Sequence, residues 1–392
     1  MADKIKLGII GIGNMGRGHS QNVAIKGLCP SVELVAVADI DERARLWAKE
    51  RLPESVICFD DALKMLDSGL IDTCLIAVPH YLHPVYAHEC FNRGINVLTE
   101  KPAGVYTRQV REMNEAAARA NVKFGIMFNQ RTNPLYRKAH DIVHSGQLGN
   151  LKRMVWIITN WYRTQAYYDS GSWRGTWNGE GGGVLLNQAP HNLDLWQWIC
   201  GMPKTVYARC AVGKYHNVGI EDDVTIYGEY ENGMTATFMT TTGELPGTNR
   251  LEISGDLGKI VIEEGKLKWW KLDRSERDVC ANEKNGFYNA ELEYEEFENT
   301  DVAGHPFILE NFAQCVLNGE PLLAPGEEGI NSLTLSNAAY LSSWTGKTVT
   351  LPVDEAEFEK HLNELRDNEG PITKKGFESK ESNCAERWKV RW

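Results

Sequence analysis

"KIKLGIIGIGNMGRGH", residues 4–19, decides the reading of the first half of the chain. An apolar strand pattern runs into Gly11-x-Gly13-x-x-Gly16, and the residues after it continue with helical spacing. In that order the first glycine permits a tight turn, the second lets backbone approach a pyrophosphate, and the third allows close helix–strand packing. The following helix then presents its first N–H groups to the phosphates.

A glycine fingerprint alone is a weak signal, so its context matters. "VELVAVADIDERAR", residues 32–45, reads as a second strand ending at Asp39, 23 residues beyond Gly16 and near the roughly 20 expected for an acid that holds ribose hydroxyls. A carboxylate there repels a 2′-phosphate, which favours NAD over NADP; Arg43 is placed to reach such a phosphate and is the feature that speaks for NADP. Asp41 suits the N-cap of the helix that follows.

Strand-like runs recur at "SVICF", "DTCLIAVP", "INVLTE" and "VKFGIMF", separated by helical stretches. That alternation predicts a doubly wound parallel sheet, a Rossmann-type fold, whose ligands lie beyond the carboxyl ends of the strands. Val78, Pro79, His83, Glu100 and Lys101 stand at such ends. The expected cofactor contacts are therefore Gly11, Gly13, Asn14, Met15, Asp39, Ile40, Arg43, Val78, Pro79, His83, Glu100, Lys101 and Gln130. His80, His83 and His88 are not read as a metal site, because Pro84 intervenes and no thiolate or carboxylate partner is near.

After about residue 150 the runs lengthen, as in "KRMVWIITNWY" and "DDVTIYGEYENGMTATFMTTT", and Asn232-Gly233 between two alternating runs is a hairpin signal. A large, mostly antiparallel open sheet is expected, making the chain α/β followed by α+β. The divisions predicted are a nucleotide-binding domain at 1–130, a substrate and oligomerisation domain at 131–365, and a polar tail at 366–392 carrying Trp388 and Trp392. The runs "HPFILENFAQCVLNG" and "EEGINSLTLSNAAYLSSWTG" read as helices that pack on either domain.

"GGGVLLNQAPHNLDLW", residues 181–196, places Asn187, His191 and Asp194 at spacings of four and three, so one helical face carries all three as a polar stripe. Upstream, residues 160–183 hold Trp161, Tyr162, Tyr167, Tyr168, Trp173 and Trp177 among Arg163, Arg174 and Asn178. Aromatic faces stack on pyranose rings while arginine and amide groups bond hydroxyls, so the stretch suits a sugar-like ligand; a wall of core aromatics or a subunit interface is the competing reading. Arg163, Tyr168, Trp173 and Arg174 are the substrate contacts it supplies, beside Lys101, Asn187 and His191.

The bulk properties narrow the partners. With 42 basic and 53 acidic residues in 392, the net charge of -11 repels nucleic acid and anionic membranes. No apolar run is long enough to span a bilayer, and the N-terminus has no signal-peptide core. Nine scattered cysteines without a Cys-x-x-Cys pair suit a reducing, cytoplasmic setting. A large open sheet needs its faces covered, which suggests a homodimer or homotetramer.

At "LTEKPAG", with the glycine fingerprint upstream, "FNQR" at 128–131 and Asn187-x-x-x-His191 downstream, residues 4–350 resemble the Gfo/Idh/MocA oxidoreductases. The resemblance implies that Lys101 bonds the reacting hydroxyl and that His191 takes its proton while hydride leaves for the nicotinamide. Asn187 stands where an aspartate is common; an amide orients His191 or bonds a hydroxyl but cannot stabilise an imidazolium by charge. The resulting expectation is NAD-dependent oxidation of a secondary hydroxyl on a sugar, glycoside or cyclitol, with C3 of a pyranose favoured. Redox-neutral glycoside cleavage through transient oxidation, and a non-catalytic sugar and NAD sensor, are the alternatives.

Overall fold

The computed structural model describes residues 3–298 and 304–370. Six strands, β1 (Ile5–Ile10), β2 (Val32–Ala38), β3 (Ile57–Phe59), β4 (Thr73–Ile76), β5 (Asn96–Thr99) and β6 (Phe124–Ile126), form an all-parallel sheet in the order β3-β2-β1-β4-β5-β6. Every residue of β4 and β6 is buried, as expected for strands covered on both faces. The strand order reverses between β1 and β4, the position where such sheets bind ligands.

This first unit takes in the chain up to Thr132, then Gly179–Gly181, then the segment ending at Leu333. A single cut after residue 130 therefore does not describe the chain. The helix His305–Asn318 returns to the first unit because Phe312 fills the space beside Gly125 of β6, where a Cβ would stand 2.8 Å from its ring.

The second unit contains a nine-stranded sheet. Its members are β7 (Leu151–Ile158), β8 (Thr205–Val212), β9 (Glu221–Glu229), β10 (Thr235–Thr241), β11 (Asn249–Gly255), β12 (Gly258–Glu263), β13 (Lys266–Leu272), β14 (Leu292–Glu298) and β15 (Val349–Thr350). The order is β14-β13-β12-β11-β7-β10-β9-β8-β15, antiparallel except where β7 pairs β10. The Asn232-Gly233 hairpin joins β9 to β10, with Gly233 at φ +83°. Strand β9 alternates, burying Val224 and Ile226 and exposing Tyr227, so one face of the sheet forms the core.

The helix Pro190–Cys200 covers that buried face. Its Trp196 stacks on Phe238 of β10 with ring centroids 6.0 Å apart and donates its indole N–H to Tyr230 Oη at 2.7 Å. The helix Glu355–Glu369, capped by Asp354 and burying Phe358 and Leu362, runs past residue 366, where the sequence suggested unstructured tail. Its apolar stripe holds it in place as far as Glu369. Trp388 and Trp392 lie outside the described residues.

Candidate active site

In the first unit the glycine loop has the expected geometry. Gly11 lies at φ +91°, and a Cβ there would stand 2.5 Å from the Ala77 carbonyl oxygen, while a Cβ on Gly16 would collide with the carbonyl oxygen of Gly11. A Cβ on Gly13 would meet nothing within 4 Å, so the loop leaves open space at the position meant for a pyrophosphate. The helix Asn14–Ala24 begins immediately after it.

Asp39 closes β2 with its carboxylate turned to that loop: Oδ2 accepts the Ile12 N–H at 2.6 Å and Oδ1 accepts the Asp41 N–H at 2.8 Å. Asp41 caps the next helix through the Arg43 N–H, and the Arg43 guanidinium pairs with Asp41 at 3.2 Å. Ile40, 85% exposed, extends an apolar surface beside the acid. Val78 is half-buried and Pro79 exposed after β4, Asn14 is exposed and Met15 half-buried, and Gln130 is buried in the short 3-10 turn Asn129–Thr132.

Two of the expected cofactor contacts are otherwise engaged. His83 is buried, its Nδ1 2.7 Å from the Pro102 carbonyl oxygen and its Nε2 2.7 Å from that of Val78, so the ring stitches the turn after β4 to the Glu-Lys-Pro loop. Glu100 is also buried: Oε1 lies 2.7 Å from His19 Nε2, and Oε2 accepts the Lys101 N–H at 3.2 Å. The His305 ring lies edge-on to His19 at 5.4 Å. The sequence carries no local signal for either histidine beyond the position of His19, three residues after Gly16. Lys101 itself is half-buried beside the cis peptide to Pro102.

In the second unit the polar stripe is divided. Asn187 ends the short helix Val184–Asn187, whereas His191 and Asp194 belong to the helix Pro190–Cys200. Pro190 has no N–H to donate to the carbonyl four residues back, so one continuous helix is not formed and Pro190 starts a new one. His191 is 2% exposed and Asp194 fully buried, with Asp194 Oδ1 accepting from Gln197 Nε2 at 3.0 Å. Asn192, between them, is fully buried, and neither atom of its amide has a partner among the described residues.

A buried carboxylate holds the turn that leads to Asn187. Glu221 accepts the Gly183 N–H at 2.8 Å, the Leu185 N–H at 3.0 Å and the Tyr340 hydroxyl at 2.7 Å. Burial pushes its pKa up to about 7 against the opposing pull of those donors.

The aromatic stretch splits between core and surface. Trp177 packs against Tyr340 and Trp344, and Tyr168 is buried with its hydroxyl on Thr242 Oγ1 at 2.7 Å, so neither faces outward. Trp161 is buried too, and the Asn178 amide donates to the Arg366 and Gly370 carbonyls at the end of the helix Glu355–Glu369, at 2.8 and 2.9 Å. Trp173 and Tyr167 remain half-buried, with the Arg174 guanidinium 4.5 Å from each ring centroid. Arg163 donates to the carbonyls of Trp161 and Tyr162 at 3.1 and 2.9 Å.

Two family models match the chain: an oxidoreductase family with an NAD-binding Rossmann fold over residues 5–128, and a GFO/IDH/MocA C-terminal domain over residues 136–261. The rhizopine catabolism protein MocA of Rhizobium meliloti is 29% identical over 211 residues, spanning 54% of this chain and 62% of that protein. A trans-1,2-dihydrobenzene-1,2-diol dehydrogenase of Xenopus laevis is 27% identical over 316 residues, 79% of this chain and 89% of its own. The crystal structure of the WlbA dehydrogenase from Bordetella pertussis, in complex with NADH and UDP-GlcNAcA, aligns with a TM-score of 0.75 at 26% identity, over 90% of this chain and 100% of that one.

Proposed function

The chain belongs to the GFO/IDH/MocA oxidoreductase family, and from that premise we propose that it oxidises a secondary hydroxyl of a sugar, glycoside or cyclitol with NAD. The observation that carries the reading is the cradle of the first unit, open at Gly13 and bounded by Asp39; the second unit, taken by itself, supplies a buried His191 on a helix anchored to its sheet through Trp196. The relatives support the substrate class: one acts on a ring-borne diol, and another was solved with NADH and a UDP-sugar acid.

Gly11, Gly13 and the N-terminus of the first helix hold the pyrophosphate in this reading, and Asp39 holds the adenosine ribose. Arg43 spends its charge on Asp41, which reinforces the preference for NAD over NADP. When bound, the nicotinamide supplies the hydride acceptor. Lys101 donates a hydrogen bond to the reacting oxygen and stabilises the negative charge that develops there, His191 receives the proton, and Asn187 positions it. The Glu221 clasp keeps Asn187 at the end of its short helix.

A panel of glucosides, free hexoses, uronates and inositols with NAD tests the reading by absorbance of the reduced nicotinamide. One responding group is the expected result; cleavage of an aryl glycoside without net NADH contradicts it.

Tyr207 and Tyr227, register partners on β8 and β9, are 47% and 39% exposed on the face of the sheet away from the core. That face is covered by a second copy of the chain in this reading, giving a dimer or tetramer. Light scattering that returns the monomer mass of 44.1 kDa contradicts it. The reducing cytoplasm is the compartment that suits the scattered cysteines. No described helix is long and apolar enough to cross a membrane.

A further inference from the structure

Tyr167 and Tyr168 are neighbours on the helix Gln165–Asp169 with opposite surroundings. Tyr168 is 1% exposed and its hydroxyl is committed to Thr242, so the substrate contact expected of it is unavailable. Tyr167 is half-buried, and its Oη accepts two hydrogen bonds, from Arg174 Nη1 at 2.6 Å and from Gln188 Nε2 at 3.2 Å.

A phenol oxygen offers two acceptor sites and one hydrogen. Here a guanidinium and an amide take both acceptor sites, which leaves the O–H hydrogen as the remaining function of the group. A charge-assisted bond into the oxygen also polarises that hydrogen and strengthens it as a donor. Cationic groups flank the ring as well, with the Arg174 and Arg163 guanidinium carbons 4.5 and 5.1 Å from its centroid, so the phenol is held by stacking in addition to hydrogen bonds.

The location of the donor follows from Gln188, the residue immediately after Asn187. Its side-chain amide ties Tyr167 to the turn between Asn187 and His191. We infer that Tyr167 is a specificity-determining residue whose phenolic hydrogen donates to a second hydroxyl oxygen of the sugar or cyclitol ring, with Arg174 as the positioning residue that fixes its direction. The inference rests on the reading of Asn187 and His191 as the reacting face. It predicts a preference for rings carrying an acceptor oxygen beside the oxidised carbon, which a polyol supplies and a monohydroxy cyclohexane does not.

The test is steady-state kinetics of Tyr167→Phe with NAD and either myo-inositol or methyl α-D-glucopyranoside, alongside His191→Ala. Singly deoxygenated and deoxyfluorinated forms of the same glucoside complete the set. The variant keeps the ring against both arginines and removes only the hydroxyl. The expected result is a fall in kcat/KM of roughly 10- to 50-fold, carried mainly by KM, with NADH affinity by fluorescence titration and the unfolding midpoint unchanged. One deoxy analogue loses activity with the wild type yet matches its parent with the variant, because the partner of the missing oxygen is already gone; its deoxyfluoro counterpart, which keeps a weak acceptor, falls between.

Tyr167→Phe within twofold of wild type on every analogue overturns the inference and leaves the role of His191 standing. A parallel loss of NADH affinity and midpoint overturns it as well, since that pattern marks a structural tyrosine. Full turnover by His191→Ala with a depressed Tyr167→Phe removes the base assignment and keeps the tyrosine.

Discussion

His19 Nε2 lies 2.7 Å from Glu100 Oε1, and the two side chains are 2% and 5% exposed. The pair sits immediately behind Lys101, whose backbone N–H is bonded to the other oxygen of Glu100. Burial alone would raise the pKa of this carboxyl; the hydrogen bond and charge of His19, with His305 and Lys101, overcome it and hold the pKa at about 2. A carboxyl depressed below its ordinary value of 4.5 contributes stability above that pH and loses it as pH falls toward 2. His19→Ala leaves a buried carboxylate without its imidazole and is expected to destabilise the protein by about 3–5 kcal/mol at neutral pH. Urea unfolding from pH 3 to 8 checks this: the variant shows a weaker acid dependence, and His19→Gln recovers part of the loss through its amide donor.

Glu221 has the opposite sign. Its folded pKa of about 7 exceeds the ordinary 4.5, so the folded state binds more protons between those values and stability declines as pH rises through that window. Glu221→Gln is neutral throughout, and its unfolding free energy is expected to lose this decline. The amide offers one acceptor oxygen where the carboxylate holds Gly183, Leu185 and Tyr340, so a lower kcat accompanies the flatter profile through a looser Asn187. An unchanged slope between pH 5 and 7 contradicts the assignment.

Asp39 braces the glycine loop, and in the proposed function its charge sets the preference between NAD and NADP. Asp39→Asn keeps an acceptor for the Ile12 N–H, now 2.6 Å from the carboxylate, and removes the charge facing a 2′-phosphate. The ratio of kcat/KM for NADP to that for NAD is expected to rise about 10-fold, with little change in stability. A ratio that stays put places the selectivity elsewhere.

The parallel sheet was legible because its strands are short, apolar and separated by helices, and no other element competes for that pattern. The Asn232-Gly233 hairpin was legible because left-handed backbone at Gly233 admits few residues. The division of the polar stripe had a signal, Pro190, which the spacing of Asn187, His191 and Asp194 concealed: the three- and four-residue rule holds only within an unbroken helix. The choice between Tyr167 and Tyr168 had none, since successive helical residues point apart and the groups that meet Tyr168, Thr242 and His216 among them, are distant in sequence. His19 meets Glu100 across 81 residues and Glu221 meets Gly183 across 38, separations at which local patterning carries no information.

In the proposed function Lys101 and His191 act on one hydroxyl while NAD takes its hydride. The most direct measurement is reduced-nicotinamide absorbance under saturating NAD and a responsive sugar, for wild type, Lys101→Met, His191→Ala, His191→Gln and the Lys101–His191 double variant. The expected result is a kcat loss of roughly 10²- to 10⁴-fold for each single variant, intact NADH binding and folding, and a double variant much less impaired than the product of the two losses. Wild-type turnover in both His191 variants, with the protein folded and the cofactor bound, contradicts it.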